Sequence, residues 1–484
     1  MRLSSRDLHA LVHSFSANEK MLFKRFNASA KKDAAYLVLF DVLVSRKEYN
    51  EEKLQKILKK KNIRVHLQSL KGYLYDQLML FLRNNTTETQ AAKMRRMTAE
   101  AEILLARGLK KNSFELFKEQ IELSRPLVNP LREISAIDNV LGFAQKIADP
   151  NLLNEYEEIM VERLRIFLNL LEVQKGFRVL ATFFTNNNPI RNQQVLSELN
   201  KIGKMKIMQR ESDMLSPLAH IFFYNFHVFI HYMRGDFDQA YSLAKTRYAY
   251  ILQHSDELKS VDSYLMNTME LLVSCAIKLH RYQNAVEHFT QLKAICEKSN
   301  TMRAQLQVHI CFAQINAAYQ WPEATVEKRE RCMDFLRKNI EFSPAIGIGM
   351  MDLAYACFRE KEYNNALTLL DLVISDKYAF HQSVLQTEAR MLGILTHYEL
   401  KNYLLIEYLV TNTKRYLRHE HKLYPLENAV MNGIRHLPEK INEEDMRKAL
   451  LKLKNNLQEI RKNKFERNAM STFDFAGWIE AKLS

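Results

Sequence analysis

The sequence predicts an all-α protein, an α-solenoid of stacked antiparallel helix pairs with an N-terminal helical domain and a C-terminal capping helix. Three observations carry this. Residues 264–293 read as two helices hinged at Leu279-His280-Arg281-Tyr282, and the second bears Tyr282, Ala285 and Phe289, an aromatic, a small residue and an aromatic on one helical face. The pattern returns at Phe237/Ala240/Ala244, Trp321/Ala324, Tyr363/Ala366/Leu370 and Tyr403/Ile406/Val410, with first residues 45, 39, 42 and 40 apart. A period near forty is that of helix pairs, which need neighbours to bury their apolar faces. Glycine and proline are scarce, at 11 and 9 of 484 residues, and no strictly alternating run lies between turn clusters, which argues against strands.

Hydrophobic residues make up 47% of the chain, ample for a large core. Cys275, Cys296, Cys311, Cys332 and Cys357 fall singly on successive expected helices. They read as buried small hydrophobes in a reducing compartment. The first twenty residues lack the apolar core of a secretion signal, and no stretch of about 18 apolar residues occurs, so the expectation is a cytoplasmic protein without a membrane partner. The formal charge of +14 is concentrated early: residues 1–125 hold 25 Lys and Arg against 14 Asp and Glu, or +11. Such a block suits nucleic acid, an acidic partner or a solvated surface alike.

Residues 1–88 form the expected basic N-terminal helical domain. Ser16 and Glu19 have capping-box spacing ahead of Met21, Leu22 and Phe26. A second helix is centred on 36–44, and Asn50 caps a third whose Glu51 and Glu52 face the positive end of the helix dipole. A basic turn, Lys59-Lys60-Lys61-Asn62, leads to a helix over 64–83 with the apolar stripe Leu67, Leu70, Leu74, Leu78 and Phe81. Arg64, Gln68, Lys71 and Tyr75 flank that stripe one turn apart. Helix, basic turn and polar-flanked helix is the layout of a helix-turn-helix reader, so Lys59, Lys60, Lys61, Arg64, Gln68 and Lys71 are the nucleic-acid candidates of an alternative reading. The other reading is a cap on the first repeat.

Residues 89–430 form the expected array. A helix runs from near Lys93 to Arg107, Gly108 breaks it, and Ser113 and Phe117 echo the signature in the next. Pro126, Pro130, Pro150, Pro189, Pro217, Pro322, Pro344 and Pro425 stand where helices are expected to start, a position that needs no amide. Asp149, Asn188 and Ser216 offer caps directly before three of them. Over 131–215 the helices lengthen and the signature fades.

From 217 to 418 the repeats are clear, and the aromatic, Ala three residues on and large apolar residue four further resemble the second helix of the tetratricopeptide repeat family. Tyr282-Ala285-Phe289, Phe237-Ala240 and Tyr363-Ala366 carry the resemblance. The chain resembles a divergent, longer-helix relative. In stacks of that kind the first helix of each pair lines a groove, which implies Asn225, Tyr232, Glu270, His309, Asn316 and Tyr355 as partner-binding residues. The small residues let the helices of a pair approach closely, while the aromatics fill the wedge between pairs.

Residues 431–484 form the expected C-terminal cap. An acidic start at Asn442-Glu443-Glu444-Asp445 and a basic end at Arg461, Lys462, Lys464 and Arg467 suit one helix dipole. Met446, Leu450, Leu453, Leu457 and Ile460 step by four and three, which also offers a homodimer contact. Phe475, Trp478 and Ile479 are placed to dock on the last helices. This ending is loosely similar to that of an uncharacterised family of bacterial helical-repeat proteins, which implies no activity.

No nucleotide-binding loop, nucleophile elbow or metalloprotease motif is present, so no catalytic residue and no cofactor are expected. His220, His227 and His231 share a stripe, but surrounding phenylalanines and the lack of a carboxylate favour packed histidines over a metal site. The sequence points to a non-enzymatic scaffold that binds a protein or peptide in its groove. The alternative is a regulator whose basic N-terminal domain binds nucleic acid.

Overall fold

The computed structural model describes residues 5–27, 34–46, 49–60, 66–85, 90–124, 130–258, 260–299, 301–375, 383–437, 442–470 and 473–483. It is helical throughout, with no strand among the described residues. No described helix is long and apolar enough to cross a membrane. The chain divides into two compact units, Met1–Leu123 and Ser124–Ser484.

The first unit contains α1 (Ser5–Ser14), α2 (Ala17–Phe26), α3 (Ala35–Val44), α4 (Glu51–Lys60), α5 (Leu67–Asn85), α6 (Gln90–Ala106) and α7 (Lys110–Ser124). It runs past residue 88 and takes in the first helix pair assigned from sequence to the array. At the start of α2 the Glu19 amide donates to Ser16 Oγ (3.2 Å) and the Ser16 amide to Glu19 Oε2 (2.7 Å), the capping box expected there. Phe23, Phe40 and Phe81 meet at 4.7–5.5 Å between ring centres and are buried with Leu39, Leu74 and Leu78. In α7, Ser113 is fully buried and bonds the Ala101 carbonyl at 2.8 Å, so a small residue sets the approach of α6 and α7 as well.

The second unit opens with α8 (Pro130–Ile147), the 38-residue α9 (Pro150–Asn187) and α10 (Gln193–Gly203). Four helix pairs follow: α11 (Pro217–Arg234) with α12 (Phe237–Gln253), α13 (Val261–Lys278) with α14 (Tyr282–Ser299), α15 (Met302–Ala318) with α16 (Val326–Lys338), and α17 (Ala345–Arg359) with α18 (Tyr363–Ile374). A fifth, α19 (Ser383–Glu399) with α20 (Tyr403–His419), precedes α21 (Pro425–Arg435), α22 (Glu443–Arg461), α23 (Lys464–Met470) and α24 (Phe475–Leu483). From α11 to α23 each helix packs on the next, α24 packs on α22, and α13, α15, α17 and α19 also pack on one another along the row. This is a stack of antiparallel pairs sharing one long core.

Ala240, Ala285 and Ala366 are fully buried where the second helix meets the first. Two copies of the signature differ from expectation. Trp321 and Ala324 lie in the connection before α16, which begins only after Thr325 caps it. The indole still packs between Phe289 and Phe312 at 5.6 and 5.9 Å, so the wedge is filled from a turn. At the fifth copy Ile406 is buried, but Tyr403 is 41% exposed because no regular pair follows to cover it. Pro130, Pro150, Pro217 and Pro425 open helices as expected. Pro189 and Pro322 lie in connections instead, Pro344 sits just before α17, and Pro126 is outside the described residues. Asn188 therefore caps no helix start; Asn192 caps α10 through the Val195 amide.

The breaks between helices follow one turn. A residue with positive φ stands two places before the next helix at Gly108, Ala148, Gly235, His280, Lys361 and Lys401. The residue after it donates back across the turn, as Arg281 does to the Ala276 carbonyl (2.8 Å) and Glu362 to that of Cys357 (2.8 Å). Most of these positions hold a side chain where glycine would be unstrained. Lys361→Gly should therefore raise the unfolding free energy in urea by about 0.5–1 kcal/mol, the left-handed penalty less the added chain entropy. Ala285→Leu should lower it by about 1–3 kcal/mol through overpacking.

Candidate binding site on the inner helices

The first helices of the pairs carry polar side chains into an apolar interior. On α11, Asn225 Oδ1 is buried without a protein partner, and Tyr232 packs against Phe184 of α9 and Phe237 of α12 at 6.3 and 5.3 Å. Burial pushes the Tyr232 phenol well up. Glu270 on α13 accepts from Gln307 of α15 at 3.3 Å, and burial raises its carboxyl above the usual range. Asn316 on α15 is 1% exposed; Arg359 of α17 reaches its Oδ1 at 3.5 Å, while its Nδ2 has no protein partner. Tyr355 on α17 is 9% exposed and stacks on Phe473 at 5.6 Å.

His309 does not join them. Its ring lies flat on Phe335 of α16 at 4.0 Å, inside its own pair, and burial drives its pKa down to about 4. The late start of α16 alters the packing opposite α15 at this point, and the sequence phase missed it.

Residues outside the expected set complete the interior. Asp352 lies one turn before Tyr355, and its Oδ2 is buried with no protein partner. Lys278 of α13 and Glu388 of α19 share its field. Burial, and then the Glu388 charge, raise the Asp352 carboxyl to about 7 against the pull of Lys278, while burial lowers the Lys278 ammonium. Charged residues interrupting the otherwise apolar runs around 278 and 352 were the available signal.

The seam that closes this interior is built from both ends of the unit. Arg191, between α9 and α10, donates to Glu427 of α21 through Nη1 and Nη2 (2.7 and 3.0 Å) and to Glu466 of α23 through Nη2 (2.9 Å). Its guanidinium lies 4.3 Å from the Tyr424 ring centre. Glu466 also accepts the Leu426 amide at 3.1 Å. Beside the seam is a cavity of about 90 Å³ lined by Asn187, Arg191, Tyr355, Glu388, Tyr424 and Phe473 among others.

Two of the three histidines of α11 are committed locally: His227 Nε2 meets the Met208 carbonyl (2.9 Å) and His220 Nδ1 that of Ser216 (3.0 Å), while His231 Nδ1 lies 3.5 Å from Asp236 Oδ2. No group of three potential metal ligands occurs among the described residues. In the first unit, Lys60 and Gln68 are exposed, but Lys71 is 6% exposed and its ammonium bonds Glu51 Oε1 and Tyr49 Oη, both at 2.9 Å. Lys71 thus serves the contact between α4 and α5, because it lies on the inner side of α5. Lys61, Arg64 and the Lys59 side chain fall outside the described residues.

Arg191→Met should leave Glu427 and Glu466 as uncompensated buried carboxylates and cost about 3–5 kcal/mol in urea unfolding. The Asp352 carboxyl has a pKa of about 7 in the folded chain against 3.8 for an unperturbed aspartate, so the folded state binds the extra proton between those values. Its contribution to stability is then lost as pH rises through that window. Asp352→Asn should raise the melting temperature at pH 8, and by clearly less at pH 5, where only the first part of that window has been crossed. No family model and no curated protein matches this chain.

Proposed function

We propose that the protein is a non-enzymatic scaffold that binds a protein or peptide along the inner helices of its stack, a divergent tetratricopeptide-like solenoid. The observation that carries this is the set of buried polar atoms without protein partners on three of the inner helices, α11, α15 and α17: Asn225 Oδ1, Asn316 Nδ2 and Asp352 Oδ2. Buried polar atoms are nearly always paired, and each one left unpaired costs about 1–3 kcal/mol. A bound polypeptide offers both amide donors and carbonyl acceptors to such atoms. Tyr232 and Tyr355 add flat apolar surface with a polar tip, a common anchor in peptide recognition. The raised Asp352 carboxyl is explained by burial beside Glu388 and needs no reaction to account for it.

Selection of a random peptide library on the purified chain tests this reading. Selected peptides should bind with about tenfold or greater loss in Asn225→Ala/Asp352→Ala, since two hydrogen bonds are removed. Peptides insensitive to those changes, or a substrate turnover abolished by Asp352→Asn, would refute it.

A further inference from the structure

The inner face already holds one polypeptide segment, the end of this chain. Phe473 stacks on Tyr355 and meets Phe358 edge-on at 5.5 Å. Asp474 caps the helix that follows, accepting the Gly477 amide at 2.9 Å, so α24 brings its own start signal. Phe475 and Ile479 are buried at 8% and 0%. Trp478 packs edge-on against Tyr398 of α19 at 5.9 Å. The polar contacts of α24 with α19 converge on one carboxylate. Trp478 Nε1 donates to Glu399 Oε1 and Lys482 Nζ to Glu399 Oε2, both at 2.7 Å, and the Glu399 side chain is only 8% exposed. An ion pair between Lys454 and Glu480 at 2.8 Å ties α24 to α22.

A carboxylate this buried is costly unless both oxygens are bonded. Here both are filled by donors at positions i and i+4 of one short helix, with apolar residues at i−3 and i+1 beside them. We infer that the face formed by α17, α19 and α22 is the peptide-receiving surface of the protein, and that its own α24 is the resident copy of the ligand it recognises. The partner is an amphipathic helix with an aromatic residue, then Trp and an aliphatic residue three and four places on, then Lys four after the Trp. Such a helix, preceded by a second aromatic two places before its first as Phe473 precedes Phe475, replaces α24 by supplying the same two donors to Glu399 and the leading aromatic to Tyr355. A nine-residue helix has little stability alone, so whichever copy docks folds on the surface. This inference rests on the scaffold reading and gives that surface a ligand class.

The test uses the full-length chain and a fluorescent peptide of residues 473–484, read by polarisation. Trp478→Ala/Lys482→Ala weakens the resident copy and leaves the receiving groups intact. This variant should bind the peptide about tenfold or more tightly than the unaltered chain does, since two charge-assisted hydrogen bonds of the competitor are lost. Adding Glu399→Gln should remove the gain. Equal binding by variant and unaltered chain, with circular dichroism unchanged, would overturn the inference. So would loss of the variant's cooperative unfolding, which makes α24 a fixed part of the core. Hydrogen exchange on the unaltered chain gives a second reading: α24 amides should exchange faster than those of α22, and equal protection counts against exchange of the segment. If the peptide fails while library peptides still depend on Asn225 and Asp352, this inference falls and the scaffold reading stands.

Discussion

The closure of the second unit depends on the guanidinium of Arg191. Its partners Glu427 and Glu466 are 236 and 275 residues away, and all three side chains are at most 12% exposed. Three charges withdrawn from water are tolerated because both Nη atoms of the fork meet carboxylates, a Tyr424 face lies against it, and the Leu426 amide adds a second donor to Glu466 Oε2; the Arg191 Nε alone is left without a protein partner. An open stack of pairs has no reason to bring its two ends together. This contact does so, and with it fixes α21 and α23 beside the connection that follows α9. From α23 the chain returns onto the row of first helices, so the position of α24 follows from the same closure.

Within the stack the repeated unit is a turn as much as a helix face. The left-handed residue two places before the second helix sets the angle at which that helix departs, and the alanine three residues into it sets the approach. Where the turn is missing, before α16, the aromatic shifts out of the helix and into the connection. The core tolerates this because Trp321 reaches the same wedge between Phe289 and Phe312. Packing therefore selects the location of the aromatic ring and leaves the backbone route to it open.

The inner helices combine two tendencies that normally exclude each other, deep burial and unpaired polarity. Asp352, Glu388 and Lys278 form a mixed-charge group in low dielectric, where one ammonium faces two carboxylates and desolvation holds Asp352 near neutrality. Glu399 shows how such a carboxylate is satisfied when a helix docks on it. The same stretch of α17 to α19 thus carries both a polar interior and a filled receiving face, with Tyr355 lining the cavity and touching Phe473.

Helicity, the helix-pair period, the capping box at Ser16 and the buried alanines were all legible in the sequence, because each depends on residues within about one turn of one another or on their regular return. That Asn225, Tyr232, Glu270, Asn316 and Tyr355 stand on the first helices of their pairs was readable for the same reason. His309 was misplaced and Lys71 was misread as available, since each is governed by a helix whose start or packing is set elsewhere. Asp352, Lys278 and Glu388 lie on three different helices, and nothing local joins them. The seam at Arg191 and the return of α24 onto α17 and α19 were decided by tertiary structure alone. Closing a loop of more than two hundred residues leaves no trace in local periodicity, and buried charges choose partners by where the packed helices place them.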